Sequence, residues 1–142
     1  MKKGISIILI GLICYGSSIQ QSRASSEAER IVASLCDYAK GNDRTLMRKK
    51  LKQNHLRLRR IYGGVMCGAR EGFSGGSLLR LATYFNAFKS AKYITQLIGP
   101  QRVNASEKDG QTILQWTQAL AASDSAKAAN LKQFIDLYAS KK

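Results

Sequence analysis

Acidic residues are scarce in this chain. Of 142 residues 9 are Asp or Glu, against 23 Lys or Arg, a net charge of +14. Histidine, proline and tryptophan occur once each, as His55, Pro100 and Trp116. So few carboxylates, scattered along the chain, leave little material for a paired acid–base site. The single His55 lies in a basic run with no serine or acid patterned around it. The GxSxG, HExxH and GxxxxGKS spacings are all missing, which removes the common hydrolase, zinc-protease and nucleotide-binding signatures. Cysteines are few, and two of them with His55 make at most three ligands at the wrong spacing for a zinc module. No enzyme activity, cofactor or metal is therefore expected.

A long hydrophobic run is missing too. The best stretch, Ile5 to Tyr15, follows Met1-Lys2-Lys3 and precedes Ser22-Arg23-Ala24. A helix of that length spans roughly 16 Å, about half a bilayer core. Positive start, short apolar middle and small residues before Ser25 are the marks of a cleavable signal peptide, expected over residues 1–24. The mature chain is then a single domain, residues 25–142. Without Lys2, Lys3 and Arg23 its net charge is +11. A periplasmic or secreted location in a bacterial cell envelope follows. Cys14 leaves with the signal, and the remaining Cys36 and Cys67 form an even pair. In an oxidising compartment such a pair favours a disulfide over two free thiols. Closing that loop would stabilise the fold by roughly 3–4 kcal/mol.

What is present is helical periodicity interrupted by one glycine-rich segment. Ser26 and Glu29 have capping-box spacing, and Ile31, Val32, Leu35, Tyr38 and Ala39 recur at helical intervals. Gly41 is the expected left-handed stop, and Asp43 the cap of a second helix running to about Asn54. On that helix Leu46, Met47 and Leu51 share one side, while Arg48, Lys49 and Lys52 point to solvent. Leu56-Arg57-Leu58-Arg59-Arg60-Ile61-Tyr62 alternates like an extended segment, which would aim its arginines together. Six glycines between Gly63 and Gly76 then mark a long turning loop that holds Cys67. Helices are expected over residues 77–85, with Asn86 at positive φ, and from Phe88 to about Ile98, with Pro100 as the break. The run Ser77-Leu78-Leu79-Arg80-Leu81-Ala82 is echoed 35 residues on by Thr112-Ile113-Leu114-Gln115-Trp116-Thr117. Helix pairs at that interval indicate stacked repeats.

The repeat resembles an ankyrin repeat. Val103-Asn104-Ala105-Ser106-Glu107-Lys108-Asp109-Gly110-Gln111-Thr112-Ile113-Leu114 is similar to the family's V-N-A-x-x-x-D-G-x-T-P-L-H. Gly75 to Thr83 is similar to its G-x-T-P-L-H-L-A-A, and Leu35, Ala39, Gly41-Asn42-Asp43, Leu46 and Leu51 to a capping repeat. Leu78 and Ile113 replace the helix-starting proline, and Arg80 and Gln115 replace the histidine. An extra connection is expected at Ala121–Ala126. The resemblance implies an all-α fold, a short solenoid of three helix pairs with extended finger loops, over residues 26–140. It also implies that Asp109 organises the backbone of its turn. Separately, residues 35–87, from Leu35-Cys36 through Tyr62 and Cys67 to Ser77-Leu78-Leu79-Arg80, resemble a small exported proteobacterial two-cysteine domain family of unknown function.

These readings point to a binding module. Its basic first finger and concave face would recognise an acidic envelope or exported protein through Arg57, Arg59, Arg60, Tyr62 and Arg80. Arginine forks match carboxylate and phosphate oxygens. The alternative is an anionic polymer or lipid headgroup, such as lipopolysaccharide, phospholipid or extracellular nucleic acid. Export argues against chromosomal DNA.

Overall fold

The computed structural model describes residues 19–142. The expected signal peptide falls almost wholly outside them. The first helix, α1, spans Ile19–Lys40. It passes through Ser26 without a break, so Ser26 is interior and not the expected cap. Leu35, Cys36 and Ala39 are buried on one face, with Ile31, Val32 and Tyr38 half-buried beside them. The turn after α1 is made by Asn42 at φ 57°, not by Gly41. Asparagine tolerates this left-handed conformation, and here its side chain is also used: the Asn42 Oδ1 accepts the Ser90 amide at 3.0 Å. Asp43 then caps α2, Arg44–Gln53, by accepting the Leu46 amide. Met47 and Leu51 are the buried positions of α2.

A short helix α3, Leu58–Ile61, and a 3-10 turn, Tyr62–Gly64, follow. Next come β1, Met66–Cys67, and β2, Gly76–Ser77, paired antiparallel in the register Met66↔Ser77 and Cys67↔Gly76. This ladder closes the glycine-rich loop. Cys67 meets Cys36 of α1 in a disulfide with a Cα–Cα distance of 5.8 Å. Inside the loop Phe73 is buried against Tyr84 and Phe85, with ring centroids at 5.5 and 6.3 Å. Gly72, at φ 86°, passes so close to Tyr84 that a Cβ would lie 2.7 Å from the phenol oxygen. Lys40–Glu71 at 2.6 Å and Arg70–Asp37 at 2.8 Å tie the same loop to α1.

Helix α4, Leu78–Tyr84, is buried at every position from Leu78 to Thr83. A helix apolar nearly all round belongs in the centre, and α4 packs on α1, α5 and α7. Then come α5, Phe88–Ile98, α6, Pro100–Val103, α7, Ile113–Ser123, and α8, Ser125–Ala139. Thr112 starts α7 with a full capping box to Gln115. The expected connection at Ala121–Ala126 is absent: Asp124 alone joins α7 to α8, closing the first and capping the second. Phe134 and Tyr138 of α8 are fully buried, and the Tyr138 hydroxyl lies 2.7 Å from that of Thr83. The fold is all-α, with α1 on α2, α4 on α5 and α7 on α8. In addition α1 meets α4, α4 meets α7, α2 meets α5, and α5 meets α8.

Candidate functional site

The basic run does not form an extended finger. His55 takes φ 51°, the Leu56 amide reaches back to the Leu51 carbonyl at 2.9 Å, and the chain re-enters a helical turn at Leu58. Burial decides this. Leu58 and Tyr62 enter the core and Ile61 packs against it, whereas an extended strand would have sent Ile61 and Tyr62 to opposite faces. Arg57, Arg59 and Arg60 remain exposed. The structure brings Arg57 and Arg59 together with Arg48 and Lys52 of α2, around an open groove of about 390 Å³. The groove is floored by Leu56 and by Tyr93 and Leu97 of α5. Arg44 adds its guanidinium over the Tyr93 ring at 5.3 Å. Arg59 also donates to the Gln101 side chain at 3.3 Å. Among the described residues no carboxylate forms an ion pair with any cation of α2 or α3; the ion-paired cations are Lys40, Arg70, Arg80 and Lys132. The sequence alone separates the α2 cations, on a solvated helix face, from the later arginines. Only the α5 side chains, distant in sequence, join them.

Tyr62 and Arg80 lie elsewhere, and neither is presented to solvent: each is 7 % exposed. Arg80 grips Asp109 through two bonds, Nη1–Oδ2 at 2.6 Å and Nη2–Oδ1 at 2.8 Å. Its Nε lies 2.6 Å from Glu107 Oε2, and its guanidinium stands 5.2 Å from the Trp116 ring centroid. Glu107 also accepts the Ser77 hydroxyl at 2.7 Å, and Asp109 the Gln111 amide at 3.0 Å. Arg80 is thus committed to internal carboxylates, which removes it as a contact for an external acid. The turn role expected of Asp109 is joined by this second one.

The electrostatics follow from the burial. Asp109, half-exposed and gripped by Arg80, has its carboxyl lowered to about 2. Glu107 moves the other way: burial raises it, and the Ser77 bond and the Arg80 charge only partly oppose that. Burial also works against the charge of Arg80, but the two carboxylates outweigh it and its affinity for a proton rises. The Tyr62 phenol is raised by burial, which Ser77 and the Leu79 backbone only partly oppose. Tyr62, Met66 and Ser77 line a cavity of about 290 Å³ together with Arg102, Glu107 and Lys108.

Residues 35–112 match the model of a family described as a protein of unknown function, DUF3718. The chain belongs to this family. The matched stretch runs from the buried face of α1 to the cap of α7, so the DUF3718 portion holds both disulfide cysteines, the basic groove and the Arg80 cluster. It contains the whole of residues 35–87, the stretch that resembles the two-cysteine domain family. The family match brings no ankyrin repeat with it. No curated protein and no solved structure matches the chain. Among the described residues no helix is long and apolar enough to cross a membrane, and no three His, Cys, Asp or Glu side chains gather where they could hold a metal ion.

Proposed function

We propose that this protein is an exported binding module, without catalysis, that recognises an acidic protein of the bacterial envelope through its basic α2–α3 surface. The observation that carries the reading is the set of exposed guanidinium groups of Arg57, Arg59 and Arg60, for which the described residues supply no carboxylate partner. Charge left unpaired on a folded surface is available to a partner of opposite sign, and it speeds encounter as well as setting register. The buried disulfide supports residence in the periplasm or outside the cell, because such bonds persist in oxidising compartments. The helix packing supports a short ankyrin-like solenoid of three pairs. Asn42 and Asn86 occupy equivalent turns at φ 57° and 56°, and each bonds to the outer helix of the next pair, at Ser90 and at Gln133. A solenoid offers a continuous face for binding and needs no catalytic group.

The net positive charge favours a second reading, an anionic polymer or lipid headgroup. Salt separates the two. Mature protein is used to capture partners from its own cell envelope, with the Arg57→Glu/Arg59→Glu/Arg60→Glu variant as control, and affinity for what is captured is followed against salt. An acidic protein that the wild type holds at moderate salt and the variant does not hold supports the first reading. Capture of lipopolysaccharide or nucleic acid, with affinity falling steeply as salt rises, supports the second.

A further inference from the structure

We infer that the groove between α2, α3 and α5 is the contact point itself, and that its occupant is an acidic peptide segment carrying one apolar anchor side chain. The inference rests on the binding-module reading and specifies its partner. Two features of the groove call for two chemistries. Its cations are Arg48 and Lys52 from α2 with Arg57 and Arg59 from the segment at α3. Its floor is apolar: Leu56, Tyr93 and Leu97 are only half-buried, packed on the core from below and open above. A simple polyanion would satisfy the cations and leave the floor wet. An apolar side chain seated on Leu56 and Leu97, flanked by carboxylates, satisfies both.

Size and donor geometry favour a peptide over a lipid. The groove, about 390 Å³, is at the low end of small-ligand pockets, roughly 300–1,000 Å³. Binding energy at such places concentrates in an anchor that is desolvated in a pocket, with polar groups around it excluding water. The arginines suit carboxylates in particular, because the planar fork meets both oxygens of one group at once. Arg59 is already held by Gln101 at 3.3 Å, which limits the freedom it would lose on binding.

The test uses the oxidised full chain and three probes: a fluorescein-labelled acidic peptide with one central Phe, the same peptide with Ala in that place, and phosphatidylglycerol vesicles. The expected result is that the Phe peptide binds about tenfold tighter than the Ala peptide. Leu97→Gln and Leu56→Gln should each abolish that difference and leave only weak, salt-sensitive binding, while Arg57→Glu/Arg59→Glu should lose both peptides. Amide shifts in the unmodified protein should map the Phe peptide to Leu56, Tyr93 and Leu97, a readout that does not depend on any variant folding. Equal binding of the two peptides, lost on arginine reversal, overturns the anchor but leaves the basic-surface reading standing. Binding of vesicles with neither peptide bound overturns both, and so does a shift map confined to other surfaces.

Discussion

Arg80 and Asp109 meet fork to fork across 29 residues of chain, at 2.6 and 2.8 Å. With Glu107 on Nε, this pairing fastens the loop after α6 to the central helix α4. It is therefore a structural clamp. Removing one partner of a buried pair leaves an uncompensated charge, which costs about 3–5 kcal/mol, whereas replacing the whole set with apolar groups is often nearly neutral. Arg80→Met should lower the unfolding free energy measured in urea, by less than that figure because Asp109 is half-exposed, and Arg80→Met combined with Glu107→Leu should recover most of the loss. A single variant as stable as the wild type would show that the clamp carries no net stability.

The clamp also fixes how stability depends on acid. The folded-state carboxyl of Asp109 is lowered to about 2, below the ordinary value near 3.9. Its contribution is fully present above that ordinary value and is lost as pH falls through about 2. Glu107 has the opposite sign: its folded value is raised, so its contribution is complete below the ordinary carboxyl value and is lost as pH rises through the folded one. Asp109→Asn should thus be destabilising at neutral pH, with the gap to wild type closing between about pH 4 and pH 2. Thermal unfolding across that range measures it; a gap that stays constant to pH 2 assigns the lowered value no role in stability.

Cys36 and Cys67 are 1 % and 3 % exposed, and the ladder of β1 with β2 stands directly on them. The pair should resist reductant in the native state and react only after unfolding. Cys36→Ala/Cys67→Ala should cost about 2–4 kcal/mol in the chain-entropy account. It should also open the glycine-rich loop to trypsin at Arg70, whose side chain the disulfide's loss leaves held by a surface ion pair to Asp37. Surface pairs of that kind contribute at most about 1 kcal/mol. Cleavage at equal rates with and without the disulfide would show that the ladder and Phe73 suffice to order the loop.

Much of this architecture was readable because local signals agreed. Asp43 caps α2 as its position predicts, and α5 runs from Phe88 to Ile98 as its periodicity predicts. The failures have definite causes. Leu56 to Tyr62 alternates at period 2, yet Leu58, Ile61 and Tyr62 also recur at helical spacing, and the packing of Ile61 beside Tyr62 on the core chose the helix. At Ala121–Ala126 the alanines continue a helix, and one aspartate, Asp124, serves two ends, so no loop is needed. The burial of Arg80 was hidden because its acids lie far downstream, in a segment that looks like an exposed finger. The groove was hidden for the same reason: its cations are local, but the Tyr93 and Leu97 of its floor come from α5.

That floor changes what charge reversal should do. From the sequence, reversing Arg57, Arg59 and Arg60 is expected to abolish binding and reversing Arg48, Lys49 and Lys52 only to weaken it. In the structure Arg48 and Lys52 share the groove with Arg57 and Arg59, and Lys49, although exposed on the same helix, does not line it. The useful division therefore runs through α2. With polyglutamate as the probe, Arg48→Glu/Lys52→Glu should weaken binding as much as Arg57→Glu/Arg59→Glu, each by about tenfold or more at low salt. Lys49→Glu should change it by less than about threefold. The differences should shrink as the Debye length falls from about 30 Å at 0.01 M salt to about 8 Å at 0.15 M. If Lys49→Glu matches the groove variants, the acid is reading overall charge and the groove has no privileged position.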